Sequence, residues 1–146
     1  MPGAVRTAIA HILAASLPLV LSACGEGTDP ALAALQADPM ATVEIEGTTT
    51  EEVTETPAGT TLGKPVYAEI ELLINLADPP NPEPVLKSAL EAAESSGWLL
   101  DRYTEAGASG EKDLPPDGRG EITVSVFEFE SEPEPQLRIT PTHCST

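Results

Sequence analysis

Val66-Tyr67-Ala68-Glu69-Ile70-Glu71-Leu72-Leu73-Ile74-Asn75-Leu76 alternates apolar and polar residues almost without a break. Val66, Ala68, Ile70, Leu72, Ile74 and Leu76 share one face at period two, which predicts a half-buried strand. Tyr67, Glu69, Glu71 and Asn75 take the other face, and Leu73 breaks its polarity. Asp78-Pro79-Pro80 stops the strand, because proline supplies no donor to a ladder. A helix is predicted next, with Asn81 as cap and Pro82 at the first helical position. Val85, Leu86, Ala89, Leu90 and Ala93 form its apolar stripe. Glu83 and Lys87 stand in the favourable i,i+4 order, and Gly97 suits a left-handed cap.

Working outward, Trp98 to Tyr103 predicts a second strand, and Ala106 to Gly120, rich in Gly, Pro and Asp, reads as a loop. Glu121 to Glu130 predicts a third strand. Ile122, Val124 and Val126 are in phase there, whereas Phe127 and Phe129 are not, which suits either a bulge or a strand covered on both faces. Pro133 and Pro135 read as a turn. Leu137 to Thr140 reads as a short final strand, placed at an edge by Pro141. The order is β–α–β–β–β over residues 65–142: an α+β fold in two layers, one helix packed on a mostly antiparallel sheet.

Residues 24–64 read as an acidic, Thr/Glu-rich tether. Asp29-Pro30 suits a short helix through Ala37, ended by Asp38-Pro39, and Thr42 to Glu46 alternates like a short strand. Gly47 to Thr61 has too few large apolar groups to offset ordering entropy and is expected as coil.

Residues 1–23 have the layout of a secretory signal. Arg6 is followed by an apolar run from Ala8 to Leu21, shorter than the roughly 20 residues a membrane span needs. Leu21-Ser22-Ala23-Cys24 then reads as a lipobox, and the segment resembles the signal peptides of bacterial lipoproteins. The resemblance implies cleavage between Ala23 and Cys24 and a diacylglycerol thioether on Cys24, with membrane lipid as the anchor's partner. Each buried methylene of such a chain contributes about 0.8 kcal/mol. Asp38-Pro39-Met40-Ala41, ahead of a strand–helix–Gly97-Trp98 pattern, looks like small lipoproteins of actinobacteria. That second resemblance brings no activity and no functional residue.

All 24 acidic residues follow Cys24, against Lys64, Lys87, Arg102, Lys112, Arg119 and Arg138, and the whole chain carries a net charge of −17. Such a balance argues against nucleic acid as a partner and against docking on anionic lipid. Candidate chemistry is thin. Glu128, Glu130, Glu132 and Glu134 make a straight row that does not converge on a cation, and Asp113, Asp117 and Glu121 lack the alternating oxygens of a calcium loop. His143 and Cys144 are adjacent, without spaced zinc partners. Neither a nucleophile elbow nor a phosphate loop occurs. Aromatic residues are only 3% of the chain, too few for the platforms that sugar sites use. No catalytic residue, metal site or cofactor is therefore expected. Leu73, Trp98, Phe127 and Phe129 form a candidate interaction patch, although a lone tryptophan beside a helix end more often plugs the core. The functional expectation is a membrane-anchored, extracytoplasmic, non-catalytic lipoprotein that binds an envelope protein. The alternatives are small-ligand or divalent-cation binding and, last, an envelope enzyme. Cys144 is expected as an unpaired thiol if Cys24 carries lipid, or as its disulfide partner if not.

Overall fold

The computed structural model describes residues 29–77, 79–129 and 132–144, with 129, 132 and 133 described by backbone alone. The lipobox lies outside the described residues. The architecture is α+β: a six-stranded antiparallel sheet in the order β1-β4-β8-β7-β6-β5, a two-stranded β2-β3 ladder, and helices α1 and α2 packed against the large sheet.

The stretch that opens the sequence reading is β4, Ala68–Leu76, where buried and half-buried residues alternate without exception. Helix α2, Pro82–Ser95, forms where it was expected and buries Val85, Ala89 and Ala93. Asn81 is its N-cap residue but makes no side-chain cap bond. Gly97, at φ 90°, takes the left-handed cap. Its N–H donates to the Glu94 carbonyl at 3.0 Å, and the Trp98 N–H donates to the Ala93 carbonyl at 3.1 Å. These are the two bonds of a Schellman closure, and they aim Trp98 back into the core.

The tether expectation is corrected from residue 29 onward. Helix α1, Pro30–Gln36, starts as predicted, with the Asp29 carboxylate accepting the Ala31 N–H. Asp38 then caps a 3₁₀ helix, Pro39–Thr42, in place of a strand beginning at Thr42. Leu35 and Met40 are fully buried, and Ala31, Ala41 and Ile45 join the same core.

The segment expected as coil is half of a long hairpin. β1, Thr48–Thr56, pairs with β4; β2, Gly59–Thr61, pairs with β3, Lys64–Val66. The register runs unchanged from Glu52–Leu73 to Thr61–Lys64, so both ladders belong to one hairpin, interrupted at Pro57, which has no N–H to give. Leu62 and Gly63 turn it, both at positive φ (51° and 77°), as a type I′ turn demands. Threonine is a good strand former despite its polarity. The glutamates that keep β1 from burying a face suit an edge strand, where charge discourages further pairing.

Two further expectations change. The loop at 106–120 holds β6, Gly107–Leu114. A side chain at Gly110 would strike the backbone of Leu99 and Leu100, beside the β5 bulge between Leu100 and Arg102. That glycine marks a close strand approach, not a flexible loop. β5 is Leu99–Thr104, β7 is Gly118–Phe129 and β8 is Glu132–Cys144. β8 is not a short edge strand: it lies between β4 and β7. Its partnering with β4 passes over Ile70 and Glu71, the stretch facing Pro141, so the missing proline donor falls in a gap of the ladder. A bulge is present between Phe127 and Phe129, beyond the point where Phe127 leaves the phase of Val126: Phe127 stays in register with Gln136 and takes the face opposite the core. Pro133 and Pro135 sit in β8 opposite the bulge rather than in a turn.

Candidate binding groove and the expected sites

The four residues of the expected patch do not come together. Trp98 is 1% exposed and plugs the core, as a lone tryptophan beside a helix end is expected to, and its place in the candidate surface patch is corrected. Leu73 and Phe127 are half-buried on the sheet face opposite the core residues, two strands apart. Arg138 stands between them, its guanidinium 4.4 Å from the Phe127 ring centroid and its Nε 3.2 Å from Glu71 Oε2. Leu73 and Phe127 therefore do not form one continuous apolar surface. The side chain of Phe129 lies outside the described residues.

Trp98 instead anchors a polar cluster that sequence reading missed. Its indole N–H donates to Asp38 Oδ1 at 3.2 Å, and the Met40 N–H donates to the same oxygen at 2.9 Å. Lys112 Nζ donates to Asp38 Oδ2 at 2.6 Å and to the Ser96 carbonyl at 2.5 Å, and lies 5.6 Å from the Trp98 ring centroid. The Asp38 side chain is 1% exposed. Its carboxylate thus joins the 3₁₀ helix, the end of α2 and β6 at one point. Gly120 makes room for the indole ring: a Cβ there would lie 2.6 Å from Leu114 and 2.8 Å from Trp98. The cluster is satisfied internally and structural in its chemistry.

His143, expected near a frayed end, is buried in β8 with Nε2 2.9 Å from the Pro115 carbonyl oxygen. Cys144 is a partly buried thiol. Burial pushes its pKa up, the Glu121 carboxylate adds to the rise, and Arg119 opposes it. The folded chain therefore favours the neutral thiol. The corresponding stability is present below the ordinary thiol range and is lost as pH rises through the folded value. Alkylation needs the thiolate. At about pH 8, below the ordinary thiol pKa, iodoacetamide should label Cys144 more slowly in the folded chain than in urea. Glu121→Gln should quicken that labelling. The readout is the mass of the C-terminal peptide, and equal folded and unfolded rates would contradict the assigned environment.

Among the described residues, a groove of about 860 Å³ lies between α2 and the β5 and β7 ends. Leu86, Leu90, Val126, Ala106 and Tyr103 give it apolar surface. Leu86, Leu90 and Val126 also rest on the core. Glu83, Glu91, Glu94, Glu105 and Glu128 line it too, against the single cation Lys87. The Tyr103 hydroxyl donates to Glu94 Oε1 at 3.2 Å. Desolvation raises the phenol's pKa, and so do that hydrogen bond and the charges of Glu94 and Asp101. Leu86 and Leu90 were legible as part of the helix stripe. The groove is not legible there, because its other wall comes from the β5–β6 turn, which opens into a stretch whose Gly, Pro and Asp content gives a loop signal.

Among the described residues no three or more His, Cys, Asp and Glu side chains gather as metal ligands. Among them, too, no helix is long and apolar enough to cross a membrane. Comparison with known proteins gives no match, whether to a family model, a curated protein or a solved structure.

Proposed function

We propose that this protein is a lipid-anchored, extracytoplasmic binding module without a catalytic role, which holds an envelope protein in the groove between α2 and β7. The observation that carries the binding half of this reading is the groove itself, with apolar surface beside a carboxylate-rich lining. Apolar area supplies affinity, and convergent charge supplies orientation and partner choice. The anchor half rests on Leu21-Ser22-Ala23-Cys24. In this reading the sheet is one layer and the helices the other, and the groove opens where the helical layer stops short of the β5–β6 turn. Lipid on Cys24 confines the module to a surface that its charge repels, 24 acidic residues against six basic ones after Cys24. Confinement raises the effective concentration of a weak binder near membrane partners.

The anchor is tested by the intact mass of the protein extracted from bacterial membranes. Loss of residues 1–23 with gain of acyl glycerol is the expected result. An unmodified chain two hydrogens short of its reduced mass would mean a Cys24–Cys144 disulfide and a secreted soluble protein, and would overturn the anchor.

A further inference from the structure

β7 outruns its neighbour. The β6–β7 ladder extends from Leu114–Gly118 to Gly107–Ser125, and the Val126 N–H makes one more bond, 2.8 Å to the Ala106 carbonyl. β7 continues to Phe129, and over that extension its pairing is with β8 on the other side. Past Val126, no strand lies on the β6 side of β7 among the described residues. Antiparallel strands direct alternate residues' backbone groups to opposite sides. The main chain of Glu128 is therefore presented on the side to which the Val126 N–H points. Glu128, Val126 and Ala106 all line the groove.

An open strand edge thus meets an apolar floor under a ring of carboxylates. We infer that the groove takes an extended, basic peptide segment of a partner protein. This segment adds as a short strand beside β7 at Val126–Glu128, and its side chains on the α2 face, two residues apart, place apolar groups on Leu86 and Leu90 and Lys or Arg groups toward Glu91, Glu94 and Glu105. The inference rests on the binding reading given above and names its partner. Strand addition draws affinity from main-chain bonds and specificity from alternate side chains. Charge complementarity selects a basic segment: the groove sets five carboxylates against one lysine. A second copy of this chain, equally acidic, is repelled from that rim, as is an anionic membrane.

The test titrates the purified isotope-labelled chain with the octapeptide Lys-Lys-Val-Val-Lys-Lys-Val-Val, which puts both residue types on each face of an extended strand, followed by amide chemical shifts. Binding that weakens with salt is expected, with the largest shifts at Ala106, Val126 and Glu128. N-methylation of the peptide's pairing amides should weaken binding by about tenfold or more. Glu91→Lys with Glu94→Lys, both exposed on α2, should cost about tenfold while leaving the melting temperature close to that of the parent. Equal affinity for a glutamate–valine peptide would overturn the basic preference. Unchanged binding after N-methylation would overturn strand addition yet leave the groove as a binding site. Complete displacement of the peptide by equimolar spermidine would assign the groove to a small polycation. No binding by any of these probes would overturn both this inference and the binding reading beneath it.

Discussion

Trp98→Ala is expected to lose about 3–5 kcal/mol of stability, the usual range for truncating a buried tryptophan. With a urea slope of about 1–3 kcal/mol per molar, the unfolding midpoint should fall by roughly 2 M. The indole is 1% exposed and fills the space that Gly120 and Leu114 leave for it. The Schellman closure at Gly97 fixes its entry, so the backbone cannot readily shift to close the gap. A margin of about 5–15 kcal/mol is typical of a whole domain, and this single change would remove much of it. Trp98→Phe should cost less, since it refills most of the volume and loses chiefly the bond to Asp38. A loss below about 0.5 kcal/mol for Trp98→Ala, the ordinary range for surface changes, would contradict the packing and return Trp98 to the candidate surface patch.

Asp38→Ala is expected to cost about 3 kcal/mol. Loss of the cap alone is worth about 1 kcal/mol, and breaking a buried ion pair by removing one partner adds to it. The figure stays at the low end of about 3–5 kcal/mol because Lys112 is partly solvated and keeps its bond to the Ser96 carbonyl. Lys112→Met supplies the cycle: a coupling of about 1–3 kcal/mol between the two positions is expected, and additive losses would contradict a direct pair. A second readout follows from topology. Asp38 joins the 3₁₀ helix to α2 and β6, so Asp38→Ala should speed amide exchange through 31–41 more than through β7. Uniform acceleration would mean only global destabilisation.

The second effect, and the carboxylate that the Trp98 indole bonds, belong to a part of the molecule that its sequence suggests lies outside the fold. Residues 29–64 contain no long apolar run, and judged by apolar content they read as tether. What makes them fold is dispersed: Leu35 and Met40 supply isolated core side chains, and Asp29 and Asp38 cap short helical turns. Asp29 does double duty, because its second oxygen accepts the Ala58 N–H from the hairpin at 2.6 Å. Threonine-rich β1 then gains its ladder from β4, a strand whose own signal was plain. Two caps and a threonine-rich run are weak signals singly, and only their shared partner strand makes them cooperative. The groove was hidden for a related reason. Its helical wall was legible as the Leu86/Leu90 stripe, but its other wall belongs to a glycine-rich hairpin that resembles a loop until the close approach at Gly110 is seen.

By itself, the sequence determined the elements whose periodicity is strong and local. These are β4 with its alternating face, α2 from Pro82 to the Gly97 cap and the core phase of β7. It also carries the lipobox reading, which no packing argument enters. Tertiary structure alone decided the central place of β8, the pairing of β1, the burial of Trp98 against Asp38 and the groove beside α2. The physical reason is range. Alternation, capping and glycine conformations act over a few residues and are written where they act. Strand order, a buried ion pair across 74 positions and an open strand edge depend on which distant segments fail or succeed in covering one another.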